Sequence, residues 1–513
     1  MEEFKVLITT SGLGSRLGEL TDYTNKCLIR VGDKPSISHI IESYDIKTRF
    51  IITLGHFGSQ VKQFLNLSYP NHNFIFVDVD KFKGEGSSLG YSLLKCEKYI
   101  QEPFIFHASD TILTNYLPKY PTVNYVIGSK NKNHSQYRTL NLSNNKLNII
   151  NEKGELNFDF SYIGVTGIKD YSLFFSELKK LVDSHHIDTS DVHVINKMIS
   201  KVEFEVDSVN SEDWYDIGNT TELNRSRIRF KSEIDILDKK DESIFFCDDH
   251  VIKFFFNEIT LKNRVNRAVS LEGLVPKIID YTQNFYKYKM VEGKLFSTSV
   301  NSKKFKDFLE WAKENLWEIK IDPQIKNKCH DFYIIKTKDR ISKYLSIFND
   351  TESINGYTLP NIEFILDRID KDWLCDGVPT KFHGDFILDN VIETENGFCL
   401  IDWRQDFAGD LNVGDIYYDL AKLNHNLTVN HDIVNRNLFN SSSEDCHILT
   451  SSTLNECKQV LHQFIIDNGY DLKKVNVLTS LIWLNMSPLH EYPFNNFLFN
   501  FGKYQLYKNI TEI

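Results

Sequence analysis

The sequence predicts an α/β protein of two domains, and three observations lead there. Short β-rich runs alternate with helical patterns through the N-terminal part. A glycine-rich turn follows the first of those runs directly. The length, 513 residues, exceeds what one hydrophobic core normally supports.

Taken in order, residues 5–10 (Lys-Val-Leu-Ile-Thr-Thr) read as a buried strand, with further strands at 49–54, 73–78 and 104–108. Helical patterns lie between them at 36–44 and 87–99. That alternation calls for a mostly parallel sheet with helices on both faces. The composition changes at 223–243, where a basic run (224–231) precedes a charged, apolar-free run (238–242). The boundary is therefore set at residue 230, giving domains 1–230 and 231–513. The second domain starts β-rich (243–257 and 284–291) and is largely helical from Lys303, with a loop-rich stretch at 382–415.

Lys+Arg 59 against Asp+Glu 70 gives a net charge of −11, which disfavours nucleic acid or an anionic membrane as the main partner. No apolar run reaches the roughly 18–20 residues of a transmembrane helix. The start, Met1-Glu2-Glu3-Phe4-Lys5, lacks the basic and apolar regions of a secretory signal. The eight cysteines are dispersed without a C-x-x-C pair, so reduced thiols are expected. The expectation is a cytoplasmic protein acting on a small molecule, with no nucleic acid and no membrane insertion; a homo-oligomer is left open.

Gly12-Leu13-Gly14-Ser15-Arg16-Leu17 follows the first strand, where glycines let backbone N–H groups approach a phosphate. A plain strand-to-helix connection would use the same residues, but Arg16 and Lys26 could neutralise a triphosphate. Together with Thr21, Lys26, Val31, Gly32 and Pro35, this segment resembles the opening of the sugar-phosphate/phosphocholine nucleotidyltransferase superfamily. Asn25 stands where that pattern usually has Pro, and Thr9-Thr10-Ser11 where it often has Leu-Ala-Ala. The resemblance implies a Rossmann-like mixed sheet and transfer of a nucleotide from an NTP to a phosphorylated acceptor. It assigns Gly12, Gly14 and Ser15 to the nucleotide's phosphates, and Arg16 and Lys26 to catalysis. Gly86 and Ser87, in Gly84-Glu85-Gly86-Ser87-Ser88-Leu89, fall in the segment that contacts the nucleobase. Asp110 and Asp216 become magnesium ligands, suited to a hard cation that also bridges substrate phosphates. Glu152-Lys153 resembles the acceptor-binding pair, although a solvated charge pair would look the same.

In the second domain, Phe382-His383-Gly384-Asp385 runs to Asn390 and is followed by Leu400-Ile401-Asp402-Trp403. Phosphoryl transfer to a hydroxyl needs a carboxylate to take the proton and polar groups to hold the metal and phosphates. The motif, with Gly414-Asp415 and Asp419-Leu420-Ala421 downstream, resembles the aminoglycoside phosphotransferase and choline-kinase families. The resemblance implies a protein-kinase-like α+β domain with a small β lobe and a larger helical lobe. It makes Asp385 the catalytic base and Asn390 and Asp402 the Mg²⁺ ligands, with His383, Asp415 and Asp419 bracing or capping. Lys253 would pair with ATP phosphates, and Met290 would lie in the hinge that holds adenine. The glutamate partner of Lys253 stays open between Glu258 and Glu272.

The fusion implies consecutive steps: ATP phosphorylates an alcohol, amino alcohol or sugar, and a second NTP, CTP favoured, then condenses with the product. The nucleotide-diphosphate conjugate would feed surface polysaccharide or lipid-head-group assembly. The alternative is one catalytic domain with the other as a binding or regulatory module. Trp311, Trp317, Trp373, Trp403, Trp483 and Tyr492 leave room for a cation–π cage around a choline-like acceptor, or are core.

Overall fold

The computed structural model describes residues 4–130, 135–184, 189–231 and 239–511. The first three residues, and residues 232–238 just past the expected boundary, lie outside them. The chain divides into two compact units, one of residues 1–258 with 279–288, the other of 259–278 with 289–513.

The first unit is built on a nine-stranded mixed sheet. Its order is Asn73–Asp78, Arg49–Leu54, Lys5–Thr9, Phe104–Ala108, Phe160–Ile168, Tyr125–Ser129, Glu205–Val209, Lys146–Asn151, Thr139–Ser143. The first four strands are parallel, with Leu7 opposite both Ile51 and Phe106. The strand Phe160–Ile168 then runs antiparallel to its neighbours.

Alternation along the central strands explains the two helical layers. Val6, Ile8 and Ile52 pack with Ile37, Ile40 and Ile41 of helix Ser36–Glu42 and with Val61, Phe64 and Leu65 of helix Gly58–Ser68. Leu7 and Ile51 point the other way, into a cluster with Leu93, Phe174, Leu178 and Ile195 from the helices of the opposite face. Strands covered on both sides need no polar face, hence their nearly unbroken apolar composition.

A second sheet of four strands is ordered Glu242–Cys247, His250–Phe255, Phe285–Lys289, Ile278–Tyr281. Its Phe245, Ile252, Phe254 and Phe285 are buried in the same cluster as Val61 and Phe64. The Phe64 and Phe245 rings meet edge to face at 5.4 Å. Lys287 Nζ donates to the Leu67 carbonyl at 2.8 Å, and Asn284 N to Gln63 Oε1 at 2.9 Å. This shared core joins the second sheet to helix Gly58–Ser68 within the first unit, and residue 230 directly follows helix Thr220–Arg229.

The second unit is largely helical. Helices Ser302–Asn315, Ile416–Asn426, Ser452–Asp467 and Leu472–Met486 bury Phe308, Leu420, Leu461 and Leu478 in one core. Among the described residues no helix is long and apolar enough to cross a membrane. The cysteines are free thiols, all buried except Cys399.

Candidate active sites

In the first unit, strand Lys5–Thr9 delivers the glycine turn to the sheet's carboxyl end. Gly14 sits at φ +70°, and a Cβ there would lie 2.9 Å from the Lys26 Cβ. Only glycine combines that backbone with so close a neighbour. The short ribbon of Thr111–Leu113 against Trp214–Asp216 pairs Asp216 with Thr111, which brings the last residue of one strand beside Asp110. Ile217 N donates to the Asp110 carbonyl at 3.0 Å and secures the junction.

Their side chains converge on Gly218. A Cβ on that glycine would be 3.0 Å from Asp216 Oδ1, 3.1 Å from Arg16 Nη2 and 3.3 Å from Asp110 Oδ2. Lys26 Nζ donates to Asp110 Oδ2 at 3.1 Å. Burial raises the Asp110 carboxyl, but Lys26 and Arg16 outweigh it and hold the group below its ordinary value. Asp216 is pushed up to about 6, first by burial and then by the charge of Asp110. Two like carboxylates crowded together, one of them reluctant to ionise, fit a divalent cation that would complete its shell with substrate phosphates and water. Among the described residues no larger cluster of His, Cys, Asp and Glu offers a metal site.

Gly84 and Gly86 take positive φ values of 76° and 79°. Ser87 Oγ donates to the Gly84 carbonyl at 2.7 Å. Ser88 caps the helix Leu89–Leu94, and Ser92 on that helix meets Ser11 Oγ at 3.0 Å, tying this segment to the glycine turn. Gly12 faces open space.

Glu152 accepts from Arg138 Nε at 3.0 Å. The Lys153 ammonium is lowered by burial and then by Arg16 and Arg138, while Asp216 and Glu152 act against them. Lys153, Arg16 and Arg138 thus form one cationic group on the Asp216 side of the site. Sequence reasoning missed Arg138, which also donates to Ser190 Oγ at 3.0 Å, and Tyr137, whose ring meets Trp214 at 4.7 Å. Neither lies in a spacing pattern; the fold alone brings them in.

In the second unit, the segment His383–Asn390 is a loop held by its backbone. Asp419 accepts from His383 N at 2.8 Å, Gly384 N at 2.7 Å and Trp317 Nε1 at 3.1 Å. Burial raises the Asp419 carboxyl to about 6 despite these donors. The His383 ring contacts the Ile401 carbonyl at 3.0 Å. Asp415 accepts from Tyr333 Oη at 2.8 Å and from Val378 N at 2.9 Å, and caps helix Ile416–Asn426. His383, Asp415 and Asp419 are structural braces in this arrangement.

Asn390 Nδ2 donates to the Asp385 carbonyl at 2.9 Å and to its Oδ2 at 3.3 Å. Lys422 Nζ, from helix Ile416–Asn426, lies 2.7 Å from Asp385 Oδ1. Asp402, at φ +56°, pairs with Arg264 of helix Glu258–Ser270. One turn on, the fully buried Arg267 donates to the carbonyls of Phe382 at 2.5 Å, Leu411 at 3.0 Å, His383 at 3.3 Å and Arg404, and stacks 3.9 Å over the Phe382 ring. Arg264, Arg267 and Lys422 were not legible from spacing, since each reaches the loop through helix packing.

Lys253 lies in the strand His250–Phe255 of the first unit and is 7% exposed. Met290 follows strand Phe285–Lys289 and is 38% exposed. The aromatic residues proposed as a cage have separate engagements. Trp317 bonds Asp419, Trp373 Nε1 bonds Asp471 at 2.8 Å, Trp403 Nε1 bonds the Arg264 carbonyl at 2.9 Å, and Trp311 stacks on Phe308.

Residues 295–434, which include this loop, match the model of the phosphotransferase enzyme family. The chain is 23% identical over 219 residues to a bifunctional protein GlmU of Methanococcus vannielii, covering 41% of this chain and 51% of that protein. It is 34% identical over 89 residues to a "probable glucose-1-phosphate cytidylyltransferase" of Bacillus subtilis, covering 17% of this chain and 34% of that protein. The chain thus spans about half the length of the first curated relative and about a third of the second. Among solved structures it is similar to the CTP:phosphocholine cytidylyltransferase of Streptococcus pneumoniae (20% identity, TM-score 0.39, 45% of this chain and 100% of that one). It is also similar to the inositol-1-phosphate CTP transferase of T. maritima (16%, TM-score 0.37, 46% and 98%). Within the second unit, residues 295–434 thus match a phosphotransferase family model, and the N-terminal part is similar to nucleotidyltransferases.

Proposed function

We propose that the chain is a bifunctional enzyme that phosphorylates a hydroxyl acceptor with ATP and then condenses the phosphomonoester with a second NTP. The observation that carries this reading is that each unit gathers its own acidic reaction centre: Asp110 and Asp216 with Arg16 and Lys26, and Asp385 with Asn390 and Lys422.

In the second unit the acceptor hydroxyl attacks the γ-phosphorus of ATP, Asp385 takes the hydroxyl proton, and the bond to the β–γ bridging oxygen breaks to release ADP. Asn390 and Lys422 each donate to one carboxylate oxygen and so fix its orientation. Asp419 and Arg267 hold the loop from behind. Lys253 serves the ATP phosphates and the segment at Met290 the adenine. On this reading the domains divide near residue 230.

In the first unit an oxygen of the new phosphomonoester attacks the α-phosphorus of the NTP and pyrophosphate leaves. No base is needed, because the attacking phosphate is already ionised. Arg16 and Lys26 offset the charge building on the pentavalent centre. Gly12, Gly14 and Ser15 cradle the triphosphate, Gly86 and Ser87 flank the base, and Lys153 with Glu152 and Arg138 takes the acceptor's phosphate. Asp110 and Asp216 in one unit, and Asn390 and Asp402 in the other, would hold Mg²⁺, which when bound draws charge off the phosphate oxygens.

CTP is favoured as the second NTP, supported by the similarity to a cytidylyltransferase. The conjugate suits surface polysaccharide or lipid-head-group assembly in the cytoplasm. The test is product analysis by phosphorus NMR and mass spectrometry with Mg²⁺, ATP and each of CTP, UTP, GTP and dTTP over a panel of alcohols and sugars. A conjugate formed only when ATP and one other NTP are both present supports the reading. A phosphomonoester with no conjugate under any NTP removes the transferase half.

A further inference from the structure

Four cations crowd the helical unit beside the candidate catalytic loop. Lys336 and Arg340 are one turn apart on helix Lys336–Leu345 and share a face. Lys336 Nζ lies 4.0 Å from the centre of the Phe332 ring, and the Arg404 guanidinium 4.8 Å from the same centre. Arg404 is anchored to the catalytic loop, its backbone N donating to the His383 carbonyl at 3.0 Å and its Nε to the Asp406 carbonyl at 3.0 Å. Lys422, the fourth, joins the group to Asp385.

Among the described residues, only Lys422 of the four has a carboxylate partner. Lys336, Arg340 and Arg404 form no ion pair among the described residues. Burial lowers the Lys336 ammonium to about 6, with Arg404, Arg340 and Lys422 adding to the effect and Asp406 opposing it. Arg340 is lowered by burial and then by Arg404. Half-buried like charges crowded together, with Asp406 alone acting against them at Lys336, cost stability, and a single aromatic ring cannot neutralise two of them. A bound oxyanion would turn the same arrangement into a favourable one through charge-assisted hydrogen bonds.

We propose, on the strength of the kinase reading of this unit, that Lys336, Arg340 and Arg404 bind an anionic group on the acceptor, so that the substrate is a hydroxyl compound carrying a carboxylate or a phosphate. Lys422 stays with Asp385 and the phosphoryl group in transit. A quaternary ammonium is the wrong charge for this cluster, and a neutral polyol leaves its cations unanswered.

The test measures ADP formation by the full chain with Mg²⁺–ATP and matched acceptors: glycerate and gluconate, glycerol 3-phosphate, neutral glycerol and glucose, and cationic choline and ethanolamine. Arg340→Met, Lys336→Met and the conservative Arg340→Lys are run alongside, with thermal midpoints to confirm folding and calorimetry to measure ATP binding. The expected result is a kcat/KM about tenfold or more above the neutral analogue for at least one anionic acceptor. Arg340→Met should raise that acceptor's KM by a similar factor and leave ATP binding unchanged, with Arg340→Lys restoring part of the loss. Preference for carboxylates over glycerol 3-phosphate, or the reverse, names the oxyanion. Preference for choline, ethanolamine or neutral compounds overturns the inference, as does a variant that weakens ATP instead of acceptor. ATP binding without turnover of any anionic acceptor also overturns it, while leaving the kinase reading standing. Absence of both ATP binding and transfer removes the kinase reading and the inference with it.

Discussion

The two candidate sites assemble their acidic groups in different ways. In the first unit, Asp110 and Asp216 come from distant parts of the chain and meet because a two-stranded ribbon sets Asp216 opposite Thr111. Their mutual repulsion is countered by Arg16 and Lys26, which reach in from the glycine turn. In the second unit, Asp385 and Asn390 lie on one loop, and the surrounding structure holds that loop mainly by its backbone, through Asp419 and Arg267. The first site balances charge between side chains; the second fixes geometry from behind. Substitutions should therefore alter chemistry with little effect on folding at the first site, and couple the two at the second.

The largest expected effect is that of Asp385→Asn. Loss of a general base lowers phosphoryl transfer from ATP by about 10²–10⁴-fold. Condensation of an added phosphomonoester with the second NTP should continue at the wild-type rate, read as pyrophosphate release. Equal loss of both reactions would mean that the sites are not independent.

Next comes Asp216→Asn, expected to lower pyrophosphate release by about 10²-fold or more and to raise the Mg²⁺ concentration needed for half-maximal rate. ADP formation should be untouched. Since Asp216 is crowded by Asp110 and buried, its replacement should leave the thermal midpoint unchanged or higher, which separates it from any structural aspartate.

Arg267→Met tests the other side of the comparison. It leaves the carbonyls of Phe382, His383 and Leu411 short of a donor, a loss of about 1–3 kcal/mol for a buried group left unsatisfied. A lower thermal midpoint together with a fall in the kinase kcat, while ATP binding is retained, is the expected pattern. Unchanged stability would contradict the bracing role.

The smallest expected effect on catalysis is that of Gly14→Ala, which puts a non-glycine residue at positive φ. The added methyl crowds the Lys26 stem, so the KM for the second NTP should rise while ADP formation stays constant. A KM unchanged in a folded variant would detach the glycine turn from nucleotide binding.

Legibility from sequence followed the same divide. The strands at 5–10, 49–54, 73–78 and 104–108 were readable because each is a short apolar run followed by a turn, and all four lie side by side in the sheet. Asp385 and Asn390 stand within a few residues of each other, so spacing alone suggests their partnership. Arg264, Arg267, Lys422 and Arg138 carry no such signal: their positions depend on how helices and strands pack, which one sequence does not express locally. The same limit hid the association of the sheet at 242–289 with helix Gly58–Ser68, which depends on Phe245 and Phe285 finding Phe64.

That one unit makes the substrate of the other can be tested by following the γ-phosphate of ATP. The protein is given γ-labelled ATP, unlabelled CTP and an acceptor that it phosphorylates, and the conjugate is isolated. Label is expected in the phosphate of the diphosphate bridge nearest the acceptor, with released pyrophosphate unlabelled. A conjugate without label, or label confined to a phosphomonoester that never enters one, would contradict it.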